Sequence, residues 1–462
     1  MIEHGNSRRD FLRQTATAAA AGLAAPYFFT STAAQAAEKH DKLTVASIGV
    51  GGRGSEIGRQ AAELGHLVAC ADVHLGNAHG FAKFVKSKCQ VYQDYRKLLE
   101  RKDIEAVTIG TPDHWHVKIA IDAMKAGKHV YCEKPLTLTL DEGNLVCAAV
   151  KKYKKTFQVG TQQRSECNNY FLKAVAIAHS GRLGKKLHAT SSVGTAGSRG
   201  GKKSKDVGPF QTATAPAELD WEMWLGQAPK VPFCPERLGW DFRWWFEYSG
   251  GQVTDWGVHH TDIAFWALAG KDGQIVEADP KSSKFIHVQR EKVRDFLLGK
   301  LPAKDMPLAF NVVREFDVDL HLSTGNTIKL ISGPEELLLE GEKGKLRVNR
   351  GSLTGKLVKQ IDADPKAKAE IEALMTEIYG GSLPAKHLGH MQNFFDCIKS
   401  GKQPIANVFE HVRAVNACHL ANIALLLNRK VRWDPSAKHF IGDAEANALR
   451  KRNERKPYVI TV

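Results

Sequence analysis

From Leu43 onward the chain alternates short apolar runs with stretches of helical periodicity. LTVASIG leads into SEIGRQAAEL, HLVACADV into NAHGFAKFV, EAVTIGT into HWHVKIAIDAMKAG, and HVYCEK into LDEGNLVCAAVKKY. Strands apolar along their whole length need cover on both faces, and the intervening amphipathic helices supply it, so the pattern demands a parallel sheet between two helical layers. It predicts a doubly wound α/β domain over residues 42–162. The first turn of that domain reads IGVGGRGSEI, which puts Gly49, Gly51 and Gly54 in Gly-x-Gly-x-x-Gly spacing between the first strand and the first helix, with Gly52 and Arg53 inside the turn. Glycines there allow a tight turn and close backbone approach, while the helix N-terminus offers unpaired N–H groups and a positive dipole end to a pyrophosphate.

Asp72 closes the second strand, 18 residues beyond Gly54, where a carboxylate can accept hydrogen bonds from an adenosine ribose and repel a 2′-phosphate. The expected cofactor is therefore NAD rather than NADP. Arg53 qualifies the choice, because its guanidinium can face the pyrophosphate, the adenine or a 2′-phosphate. At the carboxyl end of the fifth strand, CEKPLTL places Glu133, Lys134 and Pro135 where open α/β sheets bind their ligands.

A second constellation lies in GGQVTDWGVHHTDIAFWAL, where Asp255 precedes His259, His260 and Asp262 at the start of an apolar-periodic helix. With the glycine turn and Glu-Lys-Pro, with TPDHWH at Thr111–His116 and VGTQQRS at Val159–Ser165, and with LDWEMWLGQAP and NRKVRWDP, this resembles the Gfo/Idh/MocA oxidoreductases over essentially the whole mature chain. The resemblance implies catalytic roles for Lys134, Asp255 and His259. It gives His259 the hydroxyl proton while hydride leaves the same carbon for the nicotinamide, with Asp255 orienting the imidazole and Lys134 bonding the substrate oxygen. These roles suit the groups, since imidazole titrates near working pH and an ammonium stabilises a forming carbonyl oxygen. Thr111, Pro112, His116 and Glu133 join the expected cofactor contacts. Arg164, Arg243, Tyr248 and His260 are the expected substrate contacts, among a crowd of Trp221, Trp224, Trp240, Trp244, Trp245 and Arg237 whose rings and guanidinium groups suit sugars.

For residues 163–440 the resemblance implies an α+β domain with a largely antiparallel sheet, whose free face forms a subunit interface in a homo-oligomer. The runs FDVDLHLS, TIKLISG and KLRVNRGSL suit its strands, and HMQNFFDCIKSG and HVRAVNACHLANIALLLN suit its helices. The Lys/Gly-rich stretch Gly194–Gly208 reads as a loop, and residues 441–462 as a C-terminal tail.

Composition narrows the partners. The net charge of +15 comes from basic residues scattered through KKYKK, GKKSK and RKRNERK, without a nucleic-acid module around them, so no nucleic-acid partner is expected, and an anionic substrate stays open. The eight cysteines form no Cys-x-x-Cys pair or metal-ligand spacing, so neither a metal nor a disulfide framework is expected.

The N-terminal SRRDFLR, followed by an Ala-rich apolar stretch too short to span a bilayer and by Ala34–Ala36, reads as a twin-arginine signal peptide over residues 1–36. The expectation is a periplasmic protein, folded around its dinucleotide before export, with no stable membrane insertion. A cofactor trapped in this way must be regenerated in place. The leading reading is thus an exported dehydrogenase acting on a secondary alcohol of a sugar, glycoside or cyclitol. The alternatives are a redox-neutral glycosidase that oxidises, eliminates and re-reduces, or a non-catalytic protein that retains its dinucleotide.

Overall fold

The computed structural model describes residues 42–85, 88–199, 202–203, 206–383 and 388–462. The twin-arginine segment 1–36 lies outside the described residues, as does part of Gly194–Gly208. The compact unit that carries the chemistry begins at Thr44.

Its first layer is laid down as β1 (Thr44–Ile48), α1 (Gly52–Leu64), β2 (His66–Ala71), α2 (Leu75–Phe84), β3 (Gln90–Tyr92), α3 (Tyr95–Leu99), β4 (Ala106–Ile109), α4 (Asp113–Lys125), β5 (His129–Cys132), α5 (Leu140–Tyr153) and β6 (Phe157–Val159). The six strands pair in parallel in the order β3-β2-β1-β4-β5-β6. Strand order reverses beside β1, and the crevice outside the strands' carboxyl ends at that point is where such sheets bind ligands. Every residue of β4 is buried, as a central strand covered on both faces requires. The C-terminal residues return to this layer, with Tyr458 packing edge-on against Trp115 and Ile460 buried in the same core.

The chain then passes through α6 (Tyr170–His179), β7 (Leu187–Val193), the short pair β8 (Ser198–Arg199) and β9 (Lys202–Lys203), α7 (Trp221–Leu225), α8 (Gln252–Asp255) and α9 (Gly257–Leu268). Next come β10 (Ile275–Phe285), α10 (Arg290–Leu297), β11 (Val313–Leu322), β12 (Thr327–Ser332), β13 (Glu336–Gly341), β14 (Gly344–Val348) and β15 (Leu353–Thr354). The chain ends with α11 (Lys356–Ala363), α12 (Pro365–Tyr379), α13 (Gly389–Ser400), α14 (Val408–Leu427), β16 (Val431–Asp434), β17 (His439–Phe440) and α15 (Ala444–Ala448). Nine of these strands form a second sheet in the order β15-β14-β13-β7-β12-β11-β10-β16-β17, antiparallel except for the β12–β7 pair. Its inner face carries Val318, Leu320, Ile328, Leu330 and Leu339 against α9 and α14. The outer face carries ion pairs such as Lys329–Asp317 (3.0 Å) between neighbouring strands and Lys430–Glu277 (2.9 Å) from the residue just before β16. This alternation is what an antiparallel sheet with one wet face needs.

KLRVNRGSL does not run as one strand. Asn349 Oδ1 accepts from the N–H groups of Gly351 and Ser352, both at 2.9 Å, and this side-chain turn breaks the run between β14 and β15. Arg350 sits at the tip.

Candidate active site

The glycine turn shows why each position is small. Gly49 has φ +72°, and an added Cβ would stand 2.6 Å from Thr111 Cγ2. At Gly54 an added Cβ would come within 1.8 Å of the Gly49 carbonyl oxygen, so this glycine serves close helix–strand packing and does not line the cavity. Gly52 differs, since a Cβ there would meet nothing within 4 Å and would project into open space. α1 has no side-chain cap and no acidic residue in its first turn, which leaves the N–H groups there for an anion. Asp72 closes the cradle, with Oδ2 accepting from Val50 N and Oδ1 from His74 N, both at 2.9 Å. Burial raises its carboxyl above the ordinary range, and the two N–H groups draw it back only in part. Asn77 Nδ2 also reaches Oδ1, at 3.5 Å, so Oδ2 is the oxygen that keeps a lone pair for a ribose hydroxyl. The cradle fits a dinucleotide.

The cradle opens into a cavity of about 860 Å³ that also holds Thr111, Pro112, His116, Glu133, Lys134 and Arg243. Glu133 accepts from Arg53 Nε (3.1 Å) and Gln162 Nε2 (2.8 Å), tying the glycine turn to the end of β5. His116 bridges the carbonyl oxygens of Pro135 (2.7 Å) and Thr111 (2.8 Å), which fixes the loop after the cis Lys134–Pro135 bond.

Lys134 Nζ donates to Asp255 Oδ1 (2.7 Å) and to the Asp255 carbonyl oxygen (3.0 Å), and Arg243 Nε stands 3.2 Å from the same carboxylate oxygen. Burial would raise the Asp255 carboxyl, but the two cations prevail and hold it at about 2. His259, in the first turn of α9, lines the same cavity and is 4% exposed. Burial first, then the nearby Lys134 and Arg350, holds its imidazole well below the ordinary range, so it is neutral near pH 7. Arg350 Nη2 faces its Nε2 at 3.3 Å. An arginine can only donate, so Nε2 carries the lone pair and Nδ1 the proton.

Residues 43–161 match the model of an oxidoreductase family described as an NAD-binding Rossmann fold, and residues 173–287 and 335–460 match that of the same family's C-terminal alpha/beta domain. The chain belongs to the Gfo/Idh/MocA oxidoreductase family. The inositol 2-dehydrogenase of Salmonella typhimurium is 32% identical over 149 residues, 31% of this chain and 44% of that protein. An alpha-N-acetylgalactosaminidase of Shewanella oneidensis is 39% identical over 116 residues, 23% of this chain and 25% of that protein. The chain thus spans less than half the length of these curated relatives. Among solved structures, the aldose-aldose oxidoreductase of Caulobacter crescentus superposes with TM-score 0.57 at 16% identity, covering 85% of this chain and 99% of that one. The WlbA dehydrogenase of Chromobacterium violaceum, solved with NADH and UDP-GlcNAcA, gives 0.58 at 16% identity, covering 85% and 96%. These likenesses carry the fold.

Within this family frame, three expected substrate contacts are not on the cavity. Arg164 is 2% exposed and clamps Asp262 through Nε (2.6 Å) and Nη2 (2.8 Å), because the short turn after β6 directs it beneath α9, where a fully buried carboxylate needs a cation. Tyr248 is fully buried, with its hydroxyl accepting from Arg237 Nη1 at 2.6 Å and its ring against Trp224. His260 points away from His259, as successive helical residues must, and its Nδ1 meets the Ser192 carbonyl oxygen at 3.0 Å. Trp244 and Trp245 are core residues, whereas Trp224 and Trp240 line the cavity. Asp255 was expected to orient His259, but no hydrogen bond joins them. Its carboxylate is taken by Lys134 and Arg243, and among the described residues His259 Nδ1 has no partner.

Sequence reasoning passed over Arg350 and Trp256. The Arg350 guanidinium lies 4.4 Å from the Trp256 ring centroid, and both residues line the cavity. An Asn-Arg-Gly-Ser turn inside an otherwise alternating run was the available signal for Arg350.

Proposed function

We propose that the protein oxidises a secondary alcohol of a sugar, glycoside or cyclitol, with NAD as the bound hydride acceptor. The observation that carries this reading is the convergence on one cavity of a dinucleotide cradle, an ammonium held by Asp255, and a neutral imidazole with its Nε2 lone pair directed into the site. Bound NAD supplies the hydride acceptor. His259 Nε2 takes the hydroxyl proton as the carbinol C–H bond breaks, and Lys134 Nζ donates a hydrogen bond to the oxygen as it becomes a carbonyl. Asp255 anchors and aims Lys134 through the 2.7 Å contact. Asp72, at the ribose position, favours NAD over NADP.

The resemblance of the N-terminal segment to a twin-arginine signal supports export to the periplasm, and the ion-paired outer face of the second sheet is the surface through which we place a homo-oligomer. The test is incubation of the purified protein with a panel of sugars and glycosides, reading cofactor absorbance and products together. A keto product formed with reduction of the cofactor supports the assignment, and no oxidation of any member refutes it. A redox-neutral glycosidase is the second reading, favoured by the match to the alpha-N-acetylgalactosaminidase. Aglycone release without net change in the cofactor would select it.

A further inference from the structure

The cavity's charges are uneven. Arg53 is paired with Glu56 (2.6 Å) and Glu133 (3.1 Å), and Lys134 and Arg243 share Asp255. That last group lines the cavity. Arg350 is different, for among the described residues it forms no ion pair, and its guanidinium rests on the Trp256 ring and on His259 Nε2. Glu335 feels its charge but stands outside ion-pair reach. The backbone beneath Arg350 is set by the Asn349 turn, while the exposed side chain, which lines the cavity, is held among the described residues by a long hydrogen bond and a ring face. It occupies the lone pair that the proposed base needs. Something on the substrate must therefore draw it away.

We propose that Arg350 recognises a carboxylate on the substrate, so that the site takes a sugar acid, and that binding exchanges the Arg350–His259 contact for an Arg350–carboxylate pair and frees His259 Nε2 for the reacting hydroxyl. This inference rests on the proposed dehydrogenase reading and names its substrate class. A planar guanidinium matches a carboxylate with two parallel hydrogen bonds, and the 6-phosphate arm of the test separates this from phosphate recognition.

The test uses the full chain with its bound cofactor and matched pairs of methyl glycosides, uronate and neutral, in the gluco, galacto and manno series, each with its 6-phosphate counterpart. Binding is measured by calorimetry and turnover by cofactor absorbance. A charge-assisted contact predicts that at least one uronate binds about 10- to 100-fold more tightly than its neutral partner. R350Q should bring that ratio close to one, and R350K should recover only part of it, because lysine cannot form the planar pair. A ratio near one in the wild-type protein for every series, preference for the 6-phosphates, or an acid preference untouched by R350Q would each overturn the proposal. Uronate binding that depends on Arg350 without hydride transfer would refute the dehydrogenase reading and leave the carboxylate site standing. Hydride transfer from neutral glycosides with no acid preference would do the reverse.

Discussion

Replacing Asp255 by Asn removes one negative charge from a place where two cations depend on it. The side chain is 3% exposed, with Lys134 Nζ at 2.7 Å and Arg243 Nε at 3.2 Å. A carboxyl held at about 2 against 3.8 for the free group corresponds to about 2 kcal/mol of folding stability at neutral pH. Asn approximates the protonated acid, so D255N should lose at least that amount, rising towards about 3–5 kcal/mol if both cations stay buried without a partner. The sign follows from the depressed value. The stabilisation is fully present above the unfolded pKa near 4 and disappears as pH falls through about 2. Denaturant unfolding of wild type and D255N from pH 7 down to pH 2 should show a gap that is constant to about pH 5 and then closes. Single-turnover hydride transfer should fall in parallel at neutral pH, because Lys134 loses its anchor. A variant as stable as wild type at pH 7, or a gap that widens on acidification, would refute the ion-pair argument.

His259→Gln should cut turnover by roughly 10²–10⁴-fold while the protein retains its dinucleotide, which denaturation and mass spectrometry of the supernatant would measure. Since burial and two nearby cations keep His259 neutral, the acid limb of kcat/KM for alcohol oxidation should fall well below pH 6.5, and a limb at or above 6.5 would contradict that environment. Gly52→Ala should fold normally but bind NAD more weakly, since its methyl group projects into open space, whereas Gly49→Ala should lose thermal stability as well, with φ at +72° and Thr111 in the way. Changing Arg8 and Arg9 together to Lys should leave the precursor in the cytoplasm, as cell fractionation would show, and normal periplasmic accumulation would remove the export proposal.

The parts legible in the sequence were those in which local pattern and three-dimensional consequence coincide. Buried parallel strands announce themselves as unbroken apolar runs, and a glycine turn before a helix leaves little choice of conformation, so the first sheet and its cradle could be read directly. Lys134 could be placed on the ligand side of the sheet from its strand end, while the role expected of it came from the family resemblance. What could not be read were choices between faces. His259 and His260 are adjacent and chemically alike, and only the packing of α9 on β7 turns one to the cavity and the other to the Ser192 carbonyl. Arg164 was expected at the substrate by resemblance, and its real partner, Asp262, lies 98 residues away in sequence, where no local pattern pairs them. The resemblance implied that Asp255 orients His259, yet Asp255 ends α8 and turns to Lys134, while His259 belongs to α9.

The distribution of these groups between two sheets bears on how the site works. Lys134 is presented by the carboxyl end of β5 in the parallel layer, His259 by the helix lying on the second sheet, and Arg350 by a hairpin of that sheet. The proposed base and the cradle therefore come from different layers, and the proposed reaction needs both. The Lys134–Asp255 pair is one bond between them on the cavity: it ties the end of β5 to α8, which leads into α9. An ion pair that both aims an ammonium and joins two layers couples cofactor position to base position. Loosening it should therefore slow hydride transfer even where Lys134 itself is intact, and single-turnover measurements on D255N, which keeps the ammonium but removes its ionic anchor, check that expectation.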